Sequence, residues 1–459
     1  MADQESLDCL GREELIRIIL EQQKVIEQLR TEIEQLKWRG SAAPFSKGSS
    51  KADPKPPGRK PGQGPFLRRE APTVAPDQPV IPVVVRERYC PDCGGELGEG
   101  GQEIVSITDI PAQPKPEVRL YAVQVRRCRR CGRAVRGQHP EVAADQQGAT
   151  AHRLGPRVKA LGHILHYQHG VPVRKAPAVI EEMTGLRLTQ SALTQDALKQ
   201  TEGPMGAAYR QLRESIGKAD VVHTDDTGWR VGGRTAFLMV FATQTETVYQ
   251  IRERHRNEEV REVISTDFAG VMVCDRGRSY DAEELRGVAQ QKCFAHLIRN
   301  AGEIVDGKKG RAKEFGQNLK HLLQQALGLA EERVMLPPAQ YQQRVGELDA
   351  QLTHHLRNRI LRDDDNQRLL NGVGAQQDRA NLLRFLNDSR IEPTNNRAER
   401  ALRPAVIARK VSHCSKNERG ARAVEAFVSV LQTVRITCAT RTSDVFRSLL
   451  AGTQAAAPT

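Results

Sequence analysis

The sequence predicts a multidomain α/β protein with a mixed sheet, flanked by helices, at its centre. Three observations support this fold class. The chain of 459 residues is too long for one ordinary domain. Between residues 216 and 300, short apolar runs and amphipathic segments follow one another in the order βββαβαβα, which describes a mixed sheet. Before and after this block the composition changes repeatedly, so several modules follow one another along the chain.

The charge balance favours a polyanionic partner. The chain has 69 Lys+Arg against 56 Asp+Glu, a net charge of +13 and a pI near 9.4. A general surface charge without a specific partner is the alternative. No apolar run reaches the roughly 20 residues of a membrane span, and the first residues are acidic, unlike a basic secretory signal. We therefore expect a cytoplasmic protein with no membrane partner.

Residues 1–40 carry a heptad repeat that predicts a coiled-coil helix. Its seam consists of Leu15, Ile19, Gln22, Ile26, Leu29, Ile33 and Leu36. Isoleucine at the first core position of each heptad and leucine at most of the second favour a parallel two-stranded coiled coil, and hence self-association of the chain. A single amphipathic helix that packs on its own chain is the alternative.

Residues 41–80 are predicted to be a basic linker, because nine prolines in this stretch prevent a packed helix or sheet. Its basic side chains either lie along DNA phosphates or belong to a solvated spacer; they are Arg59, Lys60, Arg68 and Arg69.

Residues 81–140 are predicted to form a zinc-binding ribbon. Two C-x-x-C pairs, each followed by glycine, supply four thiolates for a closed tetrahedral zinc site: Cys90 and Cys93, then Cys128 and Cys131. Redox pairs or spare thiols are the alternatives. Because only these four of the nine cysteines are closely paired, we expect no disulfide framework.

Residues 150–215 are predicted to be helical. The segment APAVIEEMTGLRLTQSALTQDALK has the outline of a helix, a turn at Gly185 and a second helix capped near Thr189 or Ser191. A helix-turn-helix that binds DNA is one interpretation, and plain helix packing is the other.

Residues 216–300 place two carboxylates at predicted strand ends. Asp225 is expected to close the strand in the run ADVVHTDD, which ends in two carboxylates, and Asp275 follows the buried run GVMVC. Functional groups gather at such strand ends, although a single aspartate there is more often a turn or cap residue. Gly232 and Gly233 predict the first hairpin turn.

Residues 301–390 are predicted to be a helical insertion, and 391–459 to contain a further core helix and the C-terminal tail. In TNNRAERALRP, Thr394 or Asn395 is expected to cap this helix, with Glu399 in its second turn. A surface pair of Glu399 with Arg403 is the alternative. Together with Asp225 and Asp275, Glu399 would complete a set of carboxylates able to hold two divalent cations for phosphodiester chemistry.

The chain resembles transposases of the insertion-sequence-66 (IS66) family nearly from end to end. Asp225 in DDTGWRV matches the first Asp of the family, although Asp226 stands where the family usually has Glu. Asp275 matches the second Asp, and Glu399 matches the Glu of the N-N-x-A-E-R-x-L-R-P motif. The segment CFAHLIR at 293–299 resembles the family's C-x-A-H-x-x-R.

The resemblance implies a ribonuclease-H-like catalytic core whose D-D-E triad binds two Mg²⁺ ions, in addition to the structural Zn²⁺ of the ribbon. It implies a prokaryotic, nucleoid-associated DNA transposase that cleaves at the terminal inverted repeats of its element and joins the 3′-OH ends to target DNA. The partner would be double-stranded DNA, with accessory proteins of the same element as further candidates. Arg299, Arg403 and Lys410 are the expected substrate-binding residues.

More than one interpretation of Cys293, His296 and Arg299 stays open. His296 and Arg299 either reach the scissile phosphate or are a packed histidine and a surface arginine, and Cys293 with His296 is a weak metal-binding signal. Two other functions also stay open: a non-catalytic DNA-binding repressor or accessory protein, and a metal-dependent nuclease without strand transfer.

Overall fold

The computed structural model describes residues 154–357, 359–412, 414–437 and 442–450, together with 21–29, 91–98, 116–137 and scattered positions at 11, 13, 17, 80–82, 85, 88 and 89. The chain divides into two compact units, Met1–Ile110 and Pro111–Thr459, and each is described by itself.

In the first unit, residues 21–29 are helical, in agreement with the heptad repeat. Ile26 and Leu29 are exposed on this helix. Four other seam positions lie outside the described residues, so the pairing of two such helices stays a prediction: Leu15, Ile19, Ile33 and Leu36. The predicted linker also lies outside them, except for its last residue.

The second unit contains a two-stranded sheet and a five-stranded mixed sheet. The small sheet pairs β1 (Val125–Arg127) antiparallel with β2 (Ala134–Arg136). The large sheet consists of β3 (Val221–Val231), β4 (Arg234–Ala242), β5 (Thr247–Arg252), β6 (Val271–Cys274) and β7 (Ala289–Lys292). Its order is β5-β4-β3-β6-β7, in which β3, β4 and β5 are antiparallel neighbours and β6 and β7 run parallel to β3. This mixed sheet agrees with the prediction and is compatible with a ribonuclease-H-like core.

Strand β3 is longer than the sequence predicts. The expected end at Asp225 is wrong, because the strand continues for six more residues to Val231. In this extension Thr227, Trp229 and Val231 are buried and alternate with exposed residues, which is the period of a strand with one covered face. Asp225 therefore lies inside a long central strand.

The hairpin between β3 and β4 turns at Gly232 and Gly233, as predicted. Their φ angles are +58° and +84°, which other residues rarely adopt. The main-chain N–H of Gly232 also donates to the carbonyl of Ser415 (3.0 Å), so the hairpin is anchored to the chain between two later helices.

Helices cover both faces of the large sheet. They are α1 (Pro156–His163), which continues as a π-helical turn at Ile164–Gln168, α2 (Ala176–Thr184), α3 (Gln190–Glu202), α4 (Pro204–Ile216), α5 (Asn257–Arg261), α6 (Phe294–Gly307), α7 (Gly310–Glu332), α8 (Pro338–Leu356), α9 (Asp364–Asp378), α10 (Arg384–Asn387), α11 (Asn396–Ser412), α12 (Glu418–Thr437) and α13 (Thr442–Leu450). The second helix of the predicted order βββαβαβα is only a 3-10 turn, Glu283–Leu285.

The two faces of the sheet have separate cores. On one face, Val222 and Met272 pack with side chains of α1, α3, α4, α12 and α13. On the other face, Trp229 packs with α11, and Val273 packs with the helical insertion α7–α10 and with α6. Apolar side chains of α7 and α8 are buried in this core.

The described part of the predicted helical segment, residues 154–215, is mainly helical. Gly185 ends α2 with a φ of +71°, and the hydroxyl of Thr189 caps α3 by accepting from the main-chain N–H of Ala192 (3.2 Å). These elements match the predicted helix, turn and helix, whereas their use in DNA binding stays a prediction.

Helix α12 covers the edge strand β5 with a row of side-chain acceptors. The main-chain N–H groups of Thr247, Tyr249 and Ile251 donate to the side chains of Thr433 (3.0 Å), Ser429 (2.8 Å) and Glu425 (2.6 Å), respectively. Four helical residues and two strand residues both advance by about 6 Å, so the two rows stay in register. The edge is thereby protected from pairing with another chain.

No helix in the described ranges is both long enough and apolar enough to cross a membrane.

We predict that Ser429→Ala destabilises the fold by about 1–3 kcal/mol, because it leaves the buried N–H of Tyr249 without its acceptor. Ser448→Ala is the matched control, since Ser448 bonds the carbonyl of Asp444 on the exposed side of α13. Guanidinium unfolding measures both variants. Equal unfolding midpoints would mean that α12 does not stabilise the edge strand through this bond.

Candidate active site

Asp225 lies on β3, and Asp275 comes directly after the neighbouring parallel strand β6. The register of β3 and β6 pairs His223 with Val273. If this register is extended by two residues along both strands, Asp225 lies beside Asp275, the first residue after β6. Residues two apart in a strand point to the same face, and neighbouring strands are about 4.8 Å apart. Both carboxylates therefore lie on the face that carries α6 and α11.

Glu399 comes to this face from the first turn of α11, one turn earlier than predicted. The residue before the helix, Asn395, is fully buried. Its side-chain Nδ2 donates to the carbonyl of Thr224 (2.8 Å), next to Asp225. Asn395 was expected to cap the helix, but its Oδ1 has no hydrogen-bond partner in the part described. Its side chain instead fastens the start of α11 to β3.

The predicted C-x-A-H-x-x-R segment forms the other side of this fastening. Sγ of Cys293 accepts from the main-chain N–H of Asn395 (3.2 Å), and the main-chain N–H of Cys293 donates to the carbonyl of Cys274 (2.9 Å). Burial raises the pKa of the Cys293 thiol. Cys293 thus joins β6 to α11, whereas Nδ1 of half-buried His296 has no partner among the described residues.

The charges of Asp275 and Glu399 act on Asp225. The pKa of Asp225 is raised to about 7, first by burial and then by the charges of Asp275, Asp226 and Glu399. A hydrogen bond from the main-chain N–H of Asp226 (2.9 Å) opposes this rise. No ion pair involving Asp225, Asp275 or Glu399 occurs within the described ranges, so their mutual repulsion is not offset by a directly paired side chain.

Asp226 belongs to a different network. Its Oδ1 lies 3.1 Å from Nδ1 of His255, and Nε2 of the same ring lies 3.1 Å from the hydroxyl of Ser279. Successive strand residues point to opposite faces, so Asp226 faces away from Asp275 and Glu399. The sequence did not identify His255, because it lies in an irregular stretch between β5 and α5.

The loop after Asp275 is shaped around that residue. Oδ1 of Asp275 accepts from the main-chain N–H of Gly277 (2.8 Å), and a Cβ at position 277 would lie only 3.0 Å from the same oxygen. The carbonyl of Asp275 accepts from the ammonium of Lys292 (3.0 Å), a fully buried side chain that the sequence analysis missed.

The three expected substrate-binding residues are exposed. Arg299 lies on α6, and Arg403 and Lys410 lie on α11. At 100° per residue, positions 399, 403 and 410 fall within about 40° of one another around α11. Glu399, Arg403 and Lys410 therefore form one stripe, which we call the α11 stripe.

The predicted zinc ligands are described only in part. Cys90 lies outside the described residues, and Cys93 is exposed in a turn of the first unit. In the second unit, Cys128 and Cys131 lie between β1 and β2, and hydrogen bonds from the main chain of Cys131 and Arg130 lower the pKa of the Cys128 thiol. A thiol that ionises easily suits a metal ligand.

In the part of the chain that the structure describes, no group of three or more His, Cys, Asp or Glu side chains is close enough to hold a metal ion. Six of the cysteines there are free: Cys93, Cys128, Cys131, Cys274, Cys293 and Cys414. The chemistry of the three carboxylates still suits a divalent cation, because their oxygens are the ligands that Mg²⁺ prefers.

The fold and the site define an α/β protein with neighbouring carboxylates on one face of a mixed sheet. Residues 152–423 match the sequence model of the transposase IS66 family. Because this match covers more than half of the chain and includes all three carboxylates, the chain belongs to the IS66 transposase family. A comparison with curated proteins finds no match.

We predict that Asp225 makes the stability of metal-free protein depend on pH. An unfolded aspartate titrates near pH 3.9, whereas the pKa of folded Asp225 is about 7. The folded state therefore binds more protons in this window, and the stabilisation from this group at acid pH is lost as the pH rises towards 7.

Asp225→Asn should thus be more stable than the wild type at pH 8, by about 1 kcal/mol or more. Thermal unfolding with a chelator at pH 5 and pH 8 measures this difference. Asp306→Asn, at an exposed position of α6, is the control and should follow the wild type. Equal stability of Asp225→Asn and wild type at pH 8 would contradict the prediction.

Proposed function

We propose that the chain is a DNA transposase that cleaves at the terminal inverted repeats of its element and joins the freed 3′-OH to target DNA. Asp225, Asp275 and Glu399 are the catalytic residues of this proposal. The observation that carries it is the register of β3 and β6, which supports a shared position for Asp225 and Asp275, together with the electrostatic effect of Glu399 on Asp225.

The three carboxylates would hold two Mg²⁺ ions, which supply activation of the attacking oxygen and stabilisation of the leaving oxygen of a phosphodiester. The chain's own part is to fix the ligands. β3 and β6 hold Asp225 and Asp275 at one level, and the bonds of Asn395 hold the start of the Glu399 helix against β3. A rigid supporting shell of this kind keeps ligands within the narrow geometry that catalysis needs.

The α11 stripe supports a role in DNA positioning. Arg403 and Lys410 would bind backbone phosphates, and the 11 residues from Glu399 to Lys410 span about 16 Å of helix. Arg299 on α6 would contact the DNA near the carboxylates. Double-stranded DNA of the element ends and of the target is the substrate in this proposal.

Two further modules complete the proposal. Cys90, Cys93, Cys128 and Cys131 would bind a structural Zn²⁺, supported by the lowered pKa of the Cys128 thiol. The N-terminal coiled coil would join two chains, since two element ends must be brought together and linked binding units raise the effective concentration. Accessory proteins of the same element would be additional partners.

Two alternatives give different products. A non-catalytic DNA-binding repressor would yield neither cut nor joined DNA, and a nuclease would yield cut ends only. A strand-transfer assay with labelled element ends and target DNA distinguishes them, because only a transposase produces covalent donor–target products.

We predict that Asp225→Asn, Asp275→Asn and Glu399→Gln each lower DNA cleavage in Mg²⁺ by more than about 100-fold, a loss beyond that of an outer-shell partner. DNA binding should change little. Asp226→Asn is the matched control, because Asp226 pairs with His255 on the other face of the sheet and should retain most of the cleavage. Near-normal cleavage by any of the first three variants would remove that residue from the triad.

We further predict that Arg403→Ser with Lys410→Ser weakens DNA binding similarly for all sequences. The double variant should reduce the slope of log K against log salt concentration by about 2, one for each lost phosphate contact. Arg368→Ser with Arg362→Ser, at exposed positions in and beside α9 of the insertion, is the control. An unchanged slope in the first variant would show that DNA does not follow the α11 stripe.

A further inference from the structure

Lys292 is a charged side chain with no access to solvent. It ends β7, where it is paired in register with Cys274 of β6, and its exposed fraction is 0%. An ammonium group buried in this way is costly unless it is paired and hydrogen-bonded. Its partners therefore indicate what the charge is for.

Among the described residues, the three partners of the Lys292 ammonium all belong to the chain around Asp275. The ammonium donates to the main-chain carbonyl of Asp275 (3.0 Å) and to Sγ of Cys274 (3.4 Å). It also lies 2.7 Å from Oδ1 of Asp281, an ion pair whose angles do not suit a hydrogen bond. Lys292 thus binds both ends of the loop 275–281, one of them at the peptide from which the Asp275 carboxylate projects.

Other bonds hold the loop further along the chain. Arg276 donates to Oδ1 of Asn300 (3.0 Å), and the carbonyl of Tyr280 accepts from Nε2 of Gln290 on β7 (2.8 Å). Strand β6 ends at Cys274, so Asp275 lies beyond the last sheet pairing. Within the loop, Gly277 bonds the Asp275 carboxylate, and the main-chain N–H groups of Tyr280 and Asp281 donate to the Gly277 carbonyl. These bonds shape the loop but do not tie it to the sheet at Asp275. The bond from Lys292 does.

A purely structural role would not need a charge. Replacing a buried ion pair by apolar residues of similar volume is often neutral or stabilising, so the pair is weak grounds for a stability role. The ammonium has a positional effect instead, because it holds the main-chain carbonyl of Asp275, the residue whose carboxylate belongs to the candidate site.

We propose that Lys292 is a positioning residue for the candidate active site: with Asp281, it fixes Asp275 so that the three carboxylates bind divalent cations. This inference rests on the proposed function, since it assigns Asp275 as a metal ligand. Lys292 acts through Asp275 and contacts no substrate. Its loss weakens cation binding directly, before any effect on cleavage.

The test measures Mn²⁺ binding to the full chain by electron paramagnetic resonance, with DNA binding and thermal unfolding recorded in parallel. Lys292→Met keeps the length of the side chain and removes its charge. It should raise the Mn²⁺ dissociation constant by about 10- to 100-fold, the range for loss of an outer-shell partner. DNA binding should stay within about twofold of the wild type.

A second variant separates positioning from folding. Lys292→Met alone leaves Asp281 without its cation, whereas Lys292→Met with Asp281→Asn buries no unpaired charge. The double variant should unfold near the wild-type temperature and still bind Mn²⁺ weakly, because the bond to the Asp275 carbonyl is missing. If the double variant bound Mn²⁺ as tightly as the wild type, the inference would be overturned.

The control is Lys308→Met. Lys308 lies 2.8 Å from each of two carboxylates, Asp363 and Asp365, but in the helical insertion. It should bind Mn²⁺ as the wild type does. Asp275→Asn separates failure of the proposed function from failure of this inference. Normal Mn²⁺ binding by Asp275→Asn would refute the proposed function. Weak Mn²⁺ binding by Asp275→Asn, with normal binding by the Lys292 variants, would refute only the role of Lys292.

Discussion

The parallel pairing of β3 with β6 is the contact on which the candidate site depends. It places Asp225 and Asp275 at the same level although they are 50 residues apart in sequence. A slip of one residue would turn Asp225 to the opposite face, where Asp226 and His255 lie. The register is held because side chains on both faces are buried: Val222 and Met272 pack on one side, and Val273 packs on the other.

The third carboxylate, Glu399, comes from a helix that follows the long helical insertion. Residues 308–390 form a helical insertion whose apolar side chains pack with one another and, at one end, with Val273 of β6 and with α6. The chain segments before and after the insertion are hydrogen-bonded to each other. The main-chain N–H of Phe294 donates to the carbonyl of Pro393 (2.9 Å), and Asn395 bonds Cys293 and Thr224. Closing a longer loop adds little entropy cost, which explains how Glu399 can come from so distant a segment. The ends of the insertion, rather than its interior, therefore determine where Glu399 lies.

Much of this arrangement could be predicted from local patterns. The order of strands and helices follows from apolar periodicity, and the hairpin turn follows from Gly232 and Gly233, whose left-handed backbone other residues avoid. The end of β3 was misjudged because Asp225 and Asp226 resemble a terminating turn, whereas burial of alternate residues beyond them continues the strand. The alternation of strand side chains also predicts that only one of these two aspartates faces the site. The choice of Asp225 came from the family resemblance, and the contact of Asp226 with His255 supports it.

Other features could not be predicted because they depend on contacts distant in sequence. Lysine is normally exposed, so nothing in the local sequence indicates that Lys292 is buried behind Asp275. In the same way Glu425 and Ser429 look like part of a solvated helix face, and only the edge strand shows that they are acceptors for main-chain N–H groups. In both cases a polar side chain is buried because a main-chain group needs it.

The basic side chains near the candidate site differ in how strongly salt screens their charges. Arg403 and Lys410 are exposed, so salt screens them within a Debye length of about 10 Å at 0.1 M ionic strength, and their effect belongs to DNA binding. Lys292 is buried, and a buried pair is screened far less. Lys292 should therefore still fix the position of Asp275 at salt concentrations that release DNA. Ionic strength thus separates the two effects. High salt weakens the binding of DNA to the α11 stripe, whereas it leaves the positioning of Asp275 by Lys292 unchanged.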